Sequence, residues 1–220
     1  MVRLSNSRSN EPGAARAERR RHARRLEILS AAARAFRSRG FAATGMREIA
    51  AVADLSPANL YHYFHGKQEL LYFCQEASLE RLLAALRSAR HSGLPAALQL
   101  RLVIAAHVRC VLGEMEGATA HLEVDDLPPP LKRRIVAQRD RYERGIRRIV
   151  SDGVASGEFG ACDAKLVTQA ILGALNWTAR WFRPEGARSP DEVGQAFADY
   201  LVRGLEAAPP RARRNGRRRA

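Results

Sequence analysis

Apolar residues recur at helical spacing through most of this chain, and no stretch reads convincingly as a strand or an internal repeat. A first helix is predicted from about Arg21 to Arg39, with Leu29, Ala32, Ala33 and Phe36 as its buried stripe and Gly40 as its stop. Phe41 then plugs a small core. Met46, Ile49, Ala50 and Ala53 form a second, short stripe, and Leu60 and Phe64 a third. A long helix follows from Gly66 and Lys67 to about His91, striped by Leu79, Leu82, Leu83 and Leu86. After the break at Ser92, Gly93 and Pro95, another helix runs to about Met115, with Leu98, Leu102, Ala105 and Val108 on one face. The segment 117–127 does not declare itself beyond a short helix. Pro128, Pro129 and Pro130 end it and lead into a helix to about Ser156, striped by Ile135, Tyr142, Ile146 and Ile149. Asp163 caps the next helix, apolar nearly all round, to about Phe182. Ser189-Pro190-Asp191-Glu192 is a capping box with proline at the first helical position, and it opens a last helix to about Ala207. The expectation is an all-α protein of about nine helices.

Within this series the stretch from Thr44 to Lys67 stands out. Two short helices are joined by Asp54 and Leu55. Ser56 can accept an orphan N–H, and Pro57 fits where none is needed. With Leu60 and Phe64 turned inward, Asn59, Tyr61 and His62 are left outside. Two short helices with a polar second member are a helix-turn-helix, whose second helix enters a DNA major groove.

Charge sharpens that picture. The formal charge of +14 is concentrated at the two ends of the chain. Residues 1–25 carry eight Arg against Glu11 and Glu18, and residues 211–220 carry six Arg and no acid. Both ends read as disordered basic arms that add non-specific phosphate attraction or simply keep the chain soluble. No apolar run is long enough for a membrane span, and the basic N-terminus lacks the apolar segment of a secretory signal. Cys74, Cys110 and Cys162 are too few and too scattered for a disulfide framework or a zinc site, which points to a reducing cytoplasm.

Met46-Arg-Glu-Ile-Ala50, then Leu55-Ser-Pro57, then Leu60-Tyr-His-Tyr-Phe64 and Lys67 resemble the signature of the TetR family of bacterial transcriptional regulators, over roughly Arg25 to Leu71. The resemblance implies a three-helix DNA-binding head at 21–66 and a ligand-binding and dimerisation domain at 67–208, flanked by a disordered arm at 1–20 and a disordered Arg-rich tail at 209–220. It implies that the helix opened by Lys67 is the lever between them. It also puts Ser56, Pro57, Ala58 and Asn59 near base edges, and Tyr61, Tyr63 and Lys67 near phosphates of a palindromic double-stranded operator. The chemistry agrees. Asn reads adenine in a bidentate manner, Pro or Ala meets a thymine methyl, and Tyr and Lys set register on phosphates. Arg47 and His62 complete the outward set. Many members carry Ser or Thr where Gly45 stands. Here the cap is weak, or Thr44 takes the role from one residue earlier.

Catalysis is not expected. None of His22, His62, His65, His91, His107 and His121 sits in a metalloprotease, nucleophile-elbow or phosphate-loop context. His62 and His65 have metal spacing but no flanking acid or Cys as third ligand, so neither a metal nor a cofactor is predicted. A small ligand fits better. His107 and Arg109 interrupt an apolar helix, and His121 and Glu123 follow it, which is either pocket composition or ordinary surface and satisfied core. Leu172-Gly-Ala-Leu-Asn-Trp-Thr-Ala-Arg-Trp-Phe-Arg-Pro-Glu-Gly186, with Ser189-Pro190, is similar to the C-terminal region of the KstR-type subgroup. Members of that subgroup regulate steroid and fatty acid catabolism and respond to acyl-CoA thioesters. The resemblance implies that Asn176, Trp177, Arg180 and Trp181 shape the pocket or the dimer wall. Arg180 and Arg183 would pair with CoA phosphates. The last two helices carry apolar faces too wide for one chain, which predicts a homodimer through Leu175, Phe197 and Leu201.

The expected function is therefore a cytoplasmic repressor released from its operator by an acyl-CoA. A drug-responsive repressor of an efflux gene and a sequence-tolerant architectural DNA binder are the competing readings.

Overall fold

The computed structural model describes residues 11–113 and 124–207. The arm at 1–10, His121 and Glu123, and the tail from 208 onward lie outside the described residues. Among the described residues there are eight α-helices, one 3-10 turn and no strand beyond an isolated bridge. They are α1 (Glu11–Arg39), α2 (Met46–Val52), α3 (Pro57–Tyr63), α4 (Lys67–Arg90), α5 (Ala96–Leu112), α6 (Pro129–Ser156), α7 (Ala164–Trp181) and α8 (Pro190–Arg203), with the 3-10 turn at Val124–Asp126 before α6.

One boundary needs correction. α1 begins at Glu11, ten residues ahead of the expected start, so residues 11–20 are helical and not a disordered arm. That segment has no apolar stripe to announce a helix. Its Ala, Arg and Glu are intrinsic helix formers, and the helix rests on that propensity.

The chain divides into two compact units, Met1–Ser78 with Val111–Val136, and Leu79–Cys110 with Ala137–Ala220. The division falls later in α4 than the expected boundary at residue 66. The reason lies in the first turns of α4. Leu70, Leu71 and Cys74 are buried, the Phe73 ring meets Phe64 edge-on at 5.6 Å, and the Cys74 thiol reaches the Leu29 carbonyl at 3.8 Å. In this first unit Ile28, Phe36, Ile49, Leu60 and Phe64 are fully buried, and Phe41 tilts against Phe36 at 5.2 Å.

The second unit is built from the later turns of α4 with α5, α6, α7 and α8. Leu79, Leu82, Leu83 and Leu86 of α4 are all buried. On α5 the predicted face is wrong in part. Leu98 and Leu102 are exposed, and Leu100, Val103, Ile104, His107 and Val108 are buried. An apolar helix offers more than one stripe, and its neighbours choose. Two glycines permit close approaches. A Cβ at Gly153 would meet the Phe159 ring at 2.3 Å, and one at Gly194 would meet the Ala105 carbonyl at 3.3 Å. α8 thus sits tightly on α5 within this unit. No helix among the described residues is long and apolar enough to cross a membrane.

Candidate functional site

The joint between α2 and α3 is made by the backbone. Asp54 takes φ of +53°. The Asp54 N–H donates to the Ala51 carbonyl at 3.3 Å and the Leu55 N–H to the Ala50 carbonyl at 2.9 Å. This is a Schellman stop with a short polar residue in the left-handed position. Ser56 then restarts the chain as a helix. Its hydroxyl accepts the Asn59 N–H at 3.1 Å, and Pro57 occupies the first helical position. Leu60 and Phe64 point inward and are fully buried. Ser56, Pro57, Ala58, Asn59, Tyr61 and His62 are all exposed, as is Arg47 on α2, and Tyr63 is half-buried. Seven outward side chains of the predicted DNA set thus share one short, capped frame.

Two members of that set behave otherwise. Thr44 is buried, and its hydroxyl hydrogen points at the carbonyls of Gly40 (2.7 Å) and Ala35 (3.2 Å). It caps the end of α1, so it neither caps α2 nor offers an oxygen outward. Gly45 is the N-cap residue of α2 and offers no side-chain cap; the Glu48 carboxylate accepts the Gly45 N–H at 2.9 Å, which is the reciprocal half of a capping box. Arg39 pairs with that same carboxylate. Lys67 is half-buried. Its ammonium donates to the Phe41 carbonyl at 2.7 Å and the Ala42 carbonyl at 3.3 Å, and lies 4.3 Å above the Phe41 ring. Its structural role is to tie the loop after α1 to the start of α4.

Sequence reasoning missed two residues that brace this head. The Arg25 guanidinium lies 4.0 Å over the Phe73 ring and 4.9 Å from the centre of Phe64, the residue that ends α3. Arg24 pairs with Glu27 at 2.5 Å and reaches the Ala53 carbonyl at the end of α2 at 3.5 Å. Both fall within the predicted first helix, but neither an ion pair nor cation–π packing leaves a periodic signal to mark their role.

In the second unit the predicted ligand residues fall into two groups. His107 of α5 is buried between Tyr142 of α6 and Asn176 of α7. The amide oxygen of Asn176, 3.1 Å from His107 Nε2, can only accept, so Nε2 carries the proton. Nδ1 is then the acceptor for the Tyr142 hydroxyl at 3.3 Å. Burial lowers the His107 pKa to about 4 and outweighs the opposing hydrogen bond to Asn176. Burial likewise raises that of Tyr142, which stays a phenol. This neutral chain joins three helices. Tyr142 was legible only as an apolar-stripe residue, and nothing local marks its partner 35 residues away.

The other group lies on α7 and α8. Thr168, Ile171, Leu175 and Thr178 form the buried face of α7. Leu175 is fully buried within its own chain, so it is a core residue and not a dimer contact. Leu166, Ala170, Gly173 and Trp177 form the opposite, exposed stripe. Trp177 is 64% exposed and Tyr200 of α8 is 81% exposed. Phe197 and Leu201 are half-buried, and Phe197 stacks on Trp181 at 6.1 Å. An open groove of about 550 Å³ is floored by Trp181, Val193 and Phe197 and bordered by Arg183 and Arg188. A second of about 460 Å³ lies along Ile171, Tyr200 and Leu201. Arg180 and Trp177 are exposed and line neither groove. His107 and Asn176 likewise line neither groove, whereas Trp181 and Arg183 line the first. Arg188 joins the rim, which its position in the loop after α7 did not announce. No cluster of three or more His, Cys, Asp or Glu among the described residues could hold a metal.

Comparison with known proteins covers both ends of this arrangement. Residues 28–72 match the bacterial regulatory proteins of the tetR family, and residues 93–205 match the tetracyclin repressor-like C-terminal domain. The chain is 25% identical over 191 residues to the HTH-type transcriptional repressor KstR2 of Rhodococcus jostii, covering 83% of this chain and 91% of that one. Its fold is similar to that of PfmR, a TetR family transcriptional regulator from Thermus thermophilus, with a TM-score of 0.73 and 37% identity over 81% of this chain and 98% of that one. It is also similar to the ketosteroid transcriptional regulator KstR2 of Mycobacterium tuberculosis, with a TM-score of 0.76 and 26% identity over 84% and 96% of the two chains.

Proposed function

The chain belongs to the TetR family of bacterial regulatory proteins, and from that premise we propose that it is a homodimeric repressor, acting in the cytoplasm, whose two copies of α3 read a palindromic operator and which an acyl-CoA releases. The observation that carries this reading is the capped, outward-facing α3. Ser56, Pro57, Ala58 and Asn59 stand at its start, and Tyr61 and His62 one turn on, above a fully buried Leu60 and Phe64. Asn59 is the candidate for bidentate contact with adenine, and Tyr61, Tyr63 and Arg47 for phosphates, while the Lys67 ammonium is taken by the Phe41 and Ala42 carbonyls.

Dimerisation is supported by the outer stripe of α7 and by Tyr200. Residues as large as Trp177 and Tyr200, exposed at 64% and 81%, cover themselves best on a second copy across a two-fold axis. The contact set is Leu166, Trp177, Tyr200, Phe197 and Leu201.

The ligand class is supported by the chemistry of the second unit and by the ketosteroid regulator named among the relatives. The groove bordered by Arg183 and Arg188 has an aromatic floor and a cationic rim. That combination suits a molecule with one apolar and one polyanionic end. Arg180, exposed outside the groove, is a further candidate phosphate partner. His107 and Asn176 line neither groove and are bonded to each other, so in this reading they hold α5 to α7 rather than meet the ligand. Release requires that the ligand favour the state whose two α3 helices are misplaced for DNA, and by linkage DNA must weaken ligand binding by the same factor.

The test begins with selection of duplexes from a random library by the full-length protein. A two-fold symmetric consensus is expected. Titration with a ring-containing or long acyl-CoA should then lower affinity for that duplex, and the matching free acid should do much less. Recovery of no consensus would favour an architectural DNA binder. Release by lipophilic drugs but by no thioester would favour an efflux regulator.

A further inference from the structure

The packed part of α1 begins well after the helix does. Its first buried residue is Ile28, yet the helix starts at Glu11. Every side chain described from Ala15 to Ala23 is exposed, so these turns overhang the rest of their unit. The overhang of 11–23 is about 20 Å long at 1.5 Å per residue. Arg16, Arg19, Arg20 and Arg21 crowd it, with Glu11 and Glu18 as the only acids.

Its direction is set at the root. Arg24 reaches the carbonyl that ends α2, and Arg25 is stacked on Phe73 and Phe64, immediately beyond α3. Counting back three, four and eight positions from Arg24 along the helix gives Arg21, Arg20 and Arg16, which continue the same face. The face that is bolted to the helix-turn-helix at its root is therefore a row of arginines beyond it.

Taken alone, this helix is poorly designed. Arg16 and Arg20, Arg20 and Arg24, and Arg21 and Arg25 are like charges four apart, which repel. Cations near a helix N-terminus also oppose its dipole, and no burial offsets either cost. A polyanion would relieve both. We propose that the overhanging turns of α1 are a second DNA-contacting element, a basic strut that grips backbone phosphates beside the half-site read by α3. The proposal rests on the reading that α3 docks on DNA. The strut is braced to the carbonyl that ends α2 and to the ring that ends α3, so it is held in the same packed unit as the helix-turn-helix. Guanidinium groups on phosphates add affinity without base preference.

The experiment compares the full-length protein with Arg16→Gln/Arg20→Gln/Arg21→Gln and with the triple Lys variant at the same positions. Gln keeps the helix propensity of Arg, and Lys also keeps the charge. Binding is measured against salt on a duplex selected by the wild type and on a scrambled duplex of equal composition. The Gln variant should weaken both by the same factor, roughly tenfold or more at low salt, and flatten the slope of log affinity on log salt by about 2–3. The Lys variant should keep the wild-type slope. An unchanged slope in the Gln variant, or weakening on the selected duplex alone, would overturn the strut. A wild type that does not distinguish the two duplexes would instead overturn the reading role of α3, and the slope would still decide the strut.

Discussion

α3 and α7 both turn large side chains to solvent, yet they are built by different rules. α3 has seven residues, and its orientation comes from caps within a few positions of it: the Asp54 stop, the Ser56 hydroxyl and Pro57. Its outer side chains are polar and need no cover. α7 has eighteen residues and is apolar on two sides. One side is taken by its own chain through Ile171 and Leu175, and the other presents Leu166 and Trp177. The difference teaches that an outward polar residue on a short capped helix awaits a polar partner, whereas an outward tryptophan on a two-sided helix awaits a protein surface.

The strongest way to break this comparison is to exchange the two sides of α7. Leu175→Ala should cost about 2–5 kcal/mol of stability, as truncation in a packed core does, and thermal unfolding would show it. Trp177→Arg with Tyr200→Arg should leave the fold intact and raise the dimer dissociation constant, since central aromatic anchors contribute about 2 kcal/mol or more each. Sedimentation of a folded monomer would support this assignment, and an unaltered dimer would move the interface elsewhere.

Next in size is the buried chain through His107. Its folded pKa of about 4 lies below the ordinary value of 6.5. The unfolded state therefore binds the extra proton between those values, and stability falls as pH drops through that window. The loss approaches about 3 kcal/mol near pH 4. Denaturant curves at pH 7 and pH 4.5 for wild type and His107→Asn should differ in slope with pH. Parallel behaviour would mean that His107 is not held neutral.

On α3 the effects should be smaller and more selective. Asn59→Ala should relax discrimination at one base position by about 1–3 kcal/mol, while Tyr61→Phe weakens all sequences alike. Identical profiles from both variants on a panel of single-base changes would contradict the division of roles. Ser56→Ala should be the mildest, losing about 1 kcal/mol of capping. A melting temperature unchanged by that variant would show that Pro57 and the Schellman stop suffice.

The head was more legible than the body for the same reason. Ser56, Pro57, Leu60 and Phe64 act on neighbours within one or two turns, so spacing alone placed them. Thr44 misled because a hydroxyl beside a helix start looks like a cap until the carbonyls of Ala35 and Gly40 are seen to claim it. Leu175 misled because a helix apolar all round does not say which stripe its own chain covers. The His107–Tyr142–Asn176 chain spans three helices, and no pattern within one helix records it. The overhang of α1 hid behind its charge, since a polar run without periodicity reads as disorder even where its residues favour a helix.

The turn after α6 closes on a distant partner. The Glu158 carboxylate accepts the N–H groups of Ala96 at 3.1 Å and Ala97 at 3.0 Å, and these amides hold its pKa below the usual carboxylate range. Amides at the start of a helix ordinarily fray and exchange with solvent quickly. Here their partner arrives from about sixty positions later in the chain, after the whole of α6. The two orphan amides at the start of α5 are satisfied only when that end of α6 has docked. Hydrogen exchange at Ala96 and Ala97 should therefore report the cooperative opening of the second unit rather than local fraying, making two terminal amides a sensor for folding order.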